Sequence, residues 1–173
     1  MRDAESFDAF YAASVRRVTG QVYLMTGSRS EADDWVQEAY ARAWQRWGKV
    51  SGYHDPEAWV RTVAYRIGVD TWRRSLRRRD AHRRYGMTEN LAGVSPDRVA
   101  IVDALRRITP AQRQAIVLYH LAGLSVEQVA RETGVPAGTV KARLARGRQA
   151  LAPLLSDHPP ASGDHGPGVA NHA

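Results

Sequence analysis

Apolar residues recur at steps of three and four along most of this sequence, and that spacing limits the fold more than any other feature. In the first stretch they are Phe7, Phe10, Tyr11, Val15, Val18, Val22 and Met25. This period matches the α-helix and places the side chains on one face. No stretch shows the apolar and polar alternation of a half-buried strand. The sequence therefore predicts an all-α protein.

Capping residues divide the first half of the pattern into helices. Ser30 is placed to cap a second helix over 31–47, which Gly48 stops, and the loop "GKVSGYHD" follows. Asp55 and then Pro56 open a third helix, with a cap and a proline in the first turn, and it continues into "RRSLRRR".

The segment "YGMTENLAGVSPD", residues 85–97, has two glycines, a proline and few large apolar residues. Such a composition is typical of a flexible linker. We therefore predict two small helical domains, over 1–84 and 98–156. The last residues, 157–173, have almost no apolar content and are predicted to be disordered.

Start and stop signals also divide the C-terminal domain. Thr109 begins a capping box, and Ser125 begins another. Gly134 then ends a short helix, and Pro136 precedes a last helix that runs to about Leu155. Two helices joined by so tight a turn predict a helix-turn-helix.

The last helix has two contrasting faces. Its apolar face consists of Val140, Leu144, Gly147 and Leu151. Small residues among basic ones occupy the rest: Thr139, Lys141, Ala142, Arg143, Ala145, Arg146 and Arg148. Such a surface lets a helix approach base edges while its flanks hold phosphates. A solvated basic face is the alternative, but the turn and the formal net charge of +7 favour DNA binding.

The second helix carries a mixed face opposite its apolar stripe of Val36, Tyr40, Ala43, Trp44 and Trp47. That mixed face includes Asp34, Gln37, Glu38 and Arg42. Carboxylates repel phosphates, so a protein partner fits this face better than DNA does. An ordinary solvated face, with acids stabilising the helix N-terminus, is an equal alternative.

The third helix carries two apolar stripes on nearly opposite sides. One is Trp59, Val60, Val63 and Ile67; the other is Tyr65, Val69, Trp72 and Leu76, and Arg66, Arg73 and Arg77 lie between them. Such a helix is either enclosed in a bundle or offers one side to a ligand. Aromatic rings beside arginines would stack on unpaired bases, at about 1–3 kcal/mol each. Core packing is the alternative for Tyr65 and Trp72.

Composition excludes several kinds of chemistry. The chain has no cysteine, which removes disulfides and cysteine-ligated metals. The histidines lack metal-site spacing, and no phosphate-binding loop or nucleophile elbow occurs. We therefore predict no enzyme activity, no metal and no cofactor. Without a signal-like start or a long apolar run, we expect a cytoplasmic, nucleoid-associated protein that does not insert into membranes.

Three segments together resemble the small extracytoplasmic-function (ECF) sigma factors, the promoter-recognition subunits of bacterial RNA polymerase. "GSRSEADDWVQEAYARAWQRW" resembles their polymerase-binding helix, and "EAWVRTVAYRIGVDTWRR" their segment that recognises and melts the −10 promoter element. "ITPAQRQAIVLYHLAGLSVEQVARETGVPAGTVKARLARGRQAL" resembles their helix-turn-helix for the −35 element. The resemblance extends from Phe7 to Leu155, with the segments in the same order.

This resemblance implies a sigma-2-like bundle, a sigma-4-like helix-turn-helix and a set of partners. Core polymerase, through the clamp helices of its large catalytic subunit and through the other large subunit, would bind Asp34, Gln37, Glu38 and Arg42. The −10 DNA would contact Tyr53, Tyr65, Arg66, Asp70, Trp72, Arg73, Arg74 and Arg77. The −35 DNA would contact Thr139, Lys141, Ala142, Arg143, Ala145, Arg146 and Arg148. An anti-sigma factor is a further implied partner.

Three positions depart from the family's usual residues. Arg66 stands where asparagine is usual, which affects capture of a −10 base. Trp35 replaces leucine and Gly147 replaces alanine, both as packing variants, and Gly147 weakens its helix by about 1 kcal/mol.

A different class of function remains open from the residues alone. A free-standing helix-turn-helix regulator, with an N-terminal sensing or dimerisation domain, would bind a palindromic site unaided, with half-sites one turn apart. A sigma factor would instead need core polymerase and a bipartite, asymmetric site.

Overall fold

The computed structural model describes residues 2–79 and 96–156 of the chain. The helices are α1 (Arg2–Thr26), α2 (Arg29–Gln45), α3 (Trp47–Val50), α4 (Pro56–Arg79), α5 (Pro96–Arg107), α6 (Pro110–Ile116), α7 (Val126–Thr133) and α8 (Ala137–Ser156). A π-helical turn, Val117–Leu121, extends α6. Every regular element in these two ranges is helical, which confirms the predicted fold class. Most of the predicted linker and the whole predicted tail lie outside the described residues.

In the N-terminal domain, α1, α2 and α4 pack together, and α3 closes one end. The buried residues include Val18, Val22, Val36 and Val60. Tyr40 is buried among them, and its hydroxyl lies 2.7 Å from Ser14 Oγ. Because Ser14 Oγ donates to the Phe10 carbonyl at 2.6 Å, Tyr40 is the donor to Ser14.

The predicted bounds of the second helix are wrong at both ends. The residue before α2 is Ser28, in extended backbone, so Ser30 lies inside the helix. The helix ends at Gln45, and the segment predicted as a loop begins with the helical turn α3. Trp47 and Val50 are both buried, and Trp47 Nε1 donates to Ser6 Oγ at 2.7 Å. Burial of these two side chains, with α3 packed on α1 and α2, fixes the turn around Gly48, which its sequence alone does not predict.

The apolar stripe of α2 differs from the predicted one. Trp44 is 47% exposed, whereas Trp35, absent from the predicted stripe, is buried. The full buried set is Ala32, Trp35, Val36, Ala39, Tyr40 and Ala43. Because α2 packs on both α1 and α4, its buried stripe is wider than one facing a single neighbour.

Both predicted capping boxes of the C-terminal domain are confirmed. Thr109 Oγ1 accepts from the Gln112 amide, and Ser125 Oγ accepts from the Gln128 amide. Gly134 ends α7 with a φ of 69°, a left-handed conformation that favours glycine. The first helix of this domain starts earlier than predicted, because α5 begins at Pro96, inside the predicted linker.

Gly147 is buried where α8 passes α6. A β-carbon there would lie 3.0 Å from Ile116 Cγ1, closer than an ordinary van der Waals contact. The glycine therefore has a packing role, since it allows the two helices of the helix-turn-helix domain to approach.

The two domains also pack against each other, which the sequence did not predict. α1 contacts α5, α6 and the π-helical turn, and α4 contacts α7. Arg106 donates from Nε to the Gly27 carbonyl at 3.0 Å, at the C-terminal end of α1. Cationic groups at that end stabilise a helix because its last carbonyls are unpaired.

Candidate polymerase and nucleic-acid interfaces

The mixed face of α2 is presented to solvent. Asp34, Gln37, Glu38 and Arg42 are all exposed. Arg42 Nε donates to Glu38 Oε1 at 2.8 Å, one helical turn apart, and Gln37 Nε2 donates to the Tyr11 hydroxyl at 3.0 Å. Exposed ion pairs of this kind contribute little stability, so these charges remain available to a partner.

Trp44 extends this face with a large apolar surface that sequence reasoning placed in the core. Its ring lies 5.1 Å from that of Phe7, centroid to centroid. Phe7 in turn contacts the rings of Tyr40 and Trp47. Trp44 follows Gln37 by seven residues, or two helical turns, so the helical period itself places it on the mixed face. That signal was available in the sequence.

Most residues predicted to contact −10 DNA lie along α4 and the turn before it. Arg66, Asp70, Arg73 and Arg74 are exposed on α4, and Tyr53 is exposed in the turn. Arg74 Nε donates to the carbonyl of Asp70 at 3.2 Å. The side chains of two further predicted residues, Trp72 and Arg77, lie outside the described part of the structure.

Four of these residues line a cavity of about 320 Å³ between the domains. They are Tyr65, Arg66, Asp70 and Arg73, and the C-terminal domain contributes Gln114, Glu132 and Thr133 to the lining. Tyr65 and Val69, two residues of the second apolar stripe of α4, therefore line this cavity and face the other domain.

Arginines from both domains lie around the phenol of Tyr65. Burial raises the pKa of Tyr65, while the positive charges of Arg113, Arg143 and Arg73 act in the opposite direction. Arg113 and Arg143 belong to the C-terminal domain, so Arg143, a residue predicted to contact −35 DNA, also lies near the N-terminal domain.

Helix α8 shows the two faces that the sequence predicts. Val140, Leu144, Gly147 and Leu151 are buried against the preceding helices. On the other side Lys141, Ala145, Arg146 and Arg148 are exposed, and Thr139, Ala142 and Arg143 are half-buried. The helix thus offers solvent a strip of small and basic residues of the kind that enters a major groove.

Within the described ranges, no helix combines the length and the apolar content that crossing a bilayer requires.

Comparison with known proteins identifies both domains. The family model "Sigma-70 region 2" matches residues 10–79, and "Sigma-70, region 4" matches residues 98–151. The ECF RNA polymerase sigma factor SigL of Mycobacterium tuberculosis is 33% identical over 144 residues, which cover 77% of this chain and 79% of SigL.

A longer relative and a solved structure agree with this result. The ECF RNA polymerase sigma factor BldN of Streptomyces coelicolor is 29% identical over 164 residues; the match covers 90% of this chain but spans only 62% of BldN. The sigma factor RpoE from Bartonella quintana, solved in complex with the anti-sigma factor NepR, has the same fold. Its TM-score is 0.75 at 21% identity, covering 90% of this chain and 99% of RpoE.

Two all-α domains that match regions 2 and 4 in this order define a sigma-70 type protein. The chain belongs to the ECF RNA polymerase sigma factor family.

Proposed function

We propose that the protein binds core RNA polymerase and directs it to a class of promoters, where it recognises the −35 and −10 elements and melts the DNA. The proposal rests on the presence of two different surfaces in one chain: α2 has an exposed face that contains acids, and α8 has an exposed basic face. The first suits a protein surface and the second suits DNA, because carboxylates and phosphates repel each other.

The proposed division of labour follows the domains. Asp34, Gln37, Glu38 and Arg42 would bind the polymerase clamp helices. The α4 residues and Tyr53 would hold unpaired −10 bases, and the exposed strip of α8 would lie in the −35 major groove. Such a role needs binding surfaces and no catalytic group, and it would place the protein at the nucleoid in the cytoplasm.

An anti-sigma factor is a further proposed partner. The structural relative RpoE was solved with its anti-sigma factor NepR, and the fold is shared. An inhibitor that covered the α2 face or the α8 face of this protein would block polymerase or promoter binding.

Transcription with purified components tests the proposal. Core RNA polymerase would transcribe fragmented genomic DNA with and without this protein, and the 5′ ends of the transcripts would be sequenced. We expect new start sites that share a bipartite upstream motif. No dependent start site, together with unaided binding to a palindromic duplex, would instead identify a free-standing regulator.

Charge reversal on α2 tests the polymerase surface separately. Asp34→Arg should weaken binding to core polymerase by about tenfold or more, a change of roughly 1.4 kcal/mol, while the thermal unfolding midpoint stays the same. Glu127→Arg reverses the charge of another exposed carboxylate, on α7 of the other domain, and serves as the control. Unchanged affinity of the Asp34 variant would show that polymerase binds elsewhere.

A further inference from the structure

A second cavity, of about 620 Å³, lies beside the one of about 320 Å³. The two cavities share Thr62, Arg66 and Glu132 in their linings. The volume of the larger one lies in the range of about 300–1,000 Å³ that small-molecule sites occupy. Of its lining residues, Arg66 alone is also assigned to DNA or polymerase by the proposed function. That function therefore leaves most of this cavity without a role.

Part of the lining of this larger cavity is aromatic and aliphatic. Trp59 and Val63 of α4 line it from one side, and Leu124, just before α7, lines it from the other. All three residues are half-buried. An indole beside aliphatic side chains suits a flat ring system, because a ring gains from stacking as well as from the burial of its apolar surface.

The two carboxylates in the lining already have partners. Asp55 Oδ1 accepts from the Ala58 amide at 2.8 Å, at the start of α4. Glu132 Oε1 and Oε2 accept from Nε and Nη2 of Arg61, at 2.8 and 2.7 Å. The amides at a helix start and a guanidinium both favour a negative charge beside them. These two acids therefore do not supply a partner for a further cation in the cavity.

Two arginines in the lining have no acidic partner. Arg66 of α4 and Arg131 of α7 are both exposed, and they reach the cavity from different domains. Neither guanidinium forms an ion pair with a residue that the structure describes. His54, which is also exposed, adds a ring that can donate a hydrogen bond. The cavity thus combines an exposed basic edge with an aromatic wall.

This combination restricts the chemistry of a ligand. A phosphate ion would pair with the arginines but would leave the indole of Trp59 and the aliphatic side chains without a contact. A purely apolar compound would leave both guanidiniums without an anion. A nucleotide satisfies both parts of the lining, because its base stacks on an aromatic ring and its phosphates accept hydrogen bonds from the planar guanidinium fork.

We propose that this cavity is a binding site for a free nucleotide, with the base against Trp59 and the phosphates between Arg66 and Arg131. The inference goes beyond the proposed function and does not rest on it, because the site is defined by its lining alone. A bound nucleotide would let the protein respond directly to a small metabolite, in addition to any protein partner.

Calorimetric titration of the full chain tests the site without polymerase or DNA. The probes are the four common ribonucleoside 5′-diphosphates, each titrated separately. At least one of them should bind at one site per chain, with a Kd of about 10–100 µM. The matching nucleoside and inorganic phosphate should each bind about tenfold more weakly or worse, because each engages only one part of the lining.

Two substitutions locate the bound nucleotide. Arg131→Gln should weaken binding about tenfold, because it removes one guanidinium from the phosphates. Arg107→Gln removes the same charge from an exposed position on α5 that lines neither cavity, and its affinity should match that of the parent protein.

The fluorescence of Trp59 gives a separate readout. Stacking of a base should quench part of the tryptophan emission of the parent protein, to which five tryptophans contribute. Trp59→Phe keeps an aromatic ring, so the nucleotide should still bind within about threefold of the parent affinity while this quenching disappears. Circular dichroism and the thermal unfolding midpoint check that each variant is folded.

Several results would overturn the nucleotide site. No binding by any of the four diphosphates, or equal binding of inorganic phosphate, would rule out a nucleotide as the ligand. Full affinity in Arg131→Gln, with the quenching kept in Trp59→Phe, would place a bound nucleotide elsewhere. Tighter binding of a single-stranded hexanucleotide than of any diphosphate, weakened by Arg131→Gln, would assign the cavity to DNA. Transcription directed by a protein that bound no free nucleotide would leave the proposed function intact.

Discussion

The indole ring of Trp35 on α2 lies so close to Gly68 on α4 that a β-carbon at Gly68 would be 2.7 Å from Trp35 Cε3 and Cζ3. Real side chains essentially never adopt such a contact, so the tryptophan requires the glycine. The resemblance implied that Trp35 is a packing variant, and the structure shows how its large ring is accommodated. The two residues form one packing unit between the helices that carry the proposed polymerase and −10 surfaces.

Gly68→Ala should destabilise the N-terminal domain. Alanine favours a helix over glycine by about 1 kcal/mol, but overpacking against a buried ring costs about 1–3 kcal/mol. We expect a net loss of about 1 kcal/mol in the free energy of unfolding, measured by urea denaturation. Gly20→Ala in α1 is the matched control, because no atom lies within 4 Å of its β-carbon position. That variant should gain up to about 1 kcal/mol.

Trp35→Leu should reverse the effect of the Gly68 substitution. With the ring removed, Gly68→Ala no longer overpacks, so only the gain in helix propensity, up to about 1 kcal/mol, should remain. The four proteins form a double-mutant cycle with a coupling of roughly 2 kcal/mol. If Gly68→Ala cost the same free energy of unfolding with Trp35 as with leucine at that position, the absence of a β-carbon at Gly68 would not be required by Trp35.

Trp44→Ala should weaken polymerase binding more than it weakens the fold. The side chain is 47% exposed on the mixed face of α2, and a rigid aromatic residue at the centre of an interface can contribute about 2 kcal/mol or more. Its contact with Phe7 suggests a loss of about 1 kcal/mol in stability. Affinity for core polymerase should fall roughly thirtyfold.

Gln45→Ala supplies the comparison for Trp44, since Gln45 is the next exposed residue of α2. Its affinity should match that of the parent protein. A Trp44 variant that bound polymerase equally well would restrict the interface to the charged residues at the start of the helix.

Local signals in the sequence predicted most of the fold. Helix caps depend only on residues a few positions away in the sequence. Thr109 and Ser125 cap the starts of α6 and α7 as predicted, and Gly134 ends α7 as predicted. The helix α3 was missed because it depends on which other helix lies nearby, whereas the exposure of Trp44 could have been predicted from its seven-residue spacing to Gln37. Periodicity reports how apolar residues are spaced, and it does not identify the partner that buries them.

The contact between the domains was beyond the reach of sequence patterns for another reason. Arg61 and Glu132 are 71 residues apart and polar, so neither contributes to an apolar stripe. A charged residue in a helix is ordinarily read as exposed. Arg61 is buried because Glu132 of the other domain, together with Gln21 and Glu57 of its own domain, pairs with its guanidinium. Most of the candidate −10 residues were thus predicted together on α4, but the C-terminal domain that shares a cavity with Tyr65 and Arg66 was not.

Alkaline pH should destabilise the fold through Tyr40. Burial raises the pKa of Tyr40 to about 12, although the hydrogen bond with Ser14 acts the other way. The folded pKa exceeds the ordinary value near 10, so the folded state favours the neutral phenol. The stabilisation that the neutral phenol of Tyr40 gives the folded state is complete below pH 10 and is lost as the pH rises toward 12. By pH 11 the loss should be about 1.4 kcal/mol.

Tyr40→Phe should remove most of this pH dependence, because phenylalanine has no proton to lose. Urea unfolding at pH 8, 10 and 11 would measure the free energy for both proteins, and part of the slope should survive because the pKa of Tyr65 is also raised. A phenylalanine variant with the full slope of the parent would assign the alkaline transition to other groups.

Two arginines on the exposed side of α8 should contribute differently to promoter binding. Arg146 lies next to Ala145, whose small side chain allows close approach to base edges, while Arg148 lies on a flank suited to phosphates. With holoenzyme and a promoter fragment, Arg146→Ala should cost about 1–3 kcal/mol on the preferred −35 sequence and little on altered ones. Arg148→Ala should weaken binding to all sequences alike. The slope of log affinity against log salt concentration should fall by about the amount expected for one lost phosphate contact. Both variants keep the buried face of α8, so both should fold. If Arg146→Ala also weakened binding equally on all sequences, Arg146 would contact phosphate and other residues of the strip would read the bases.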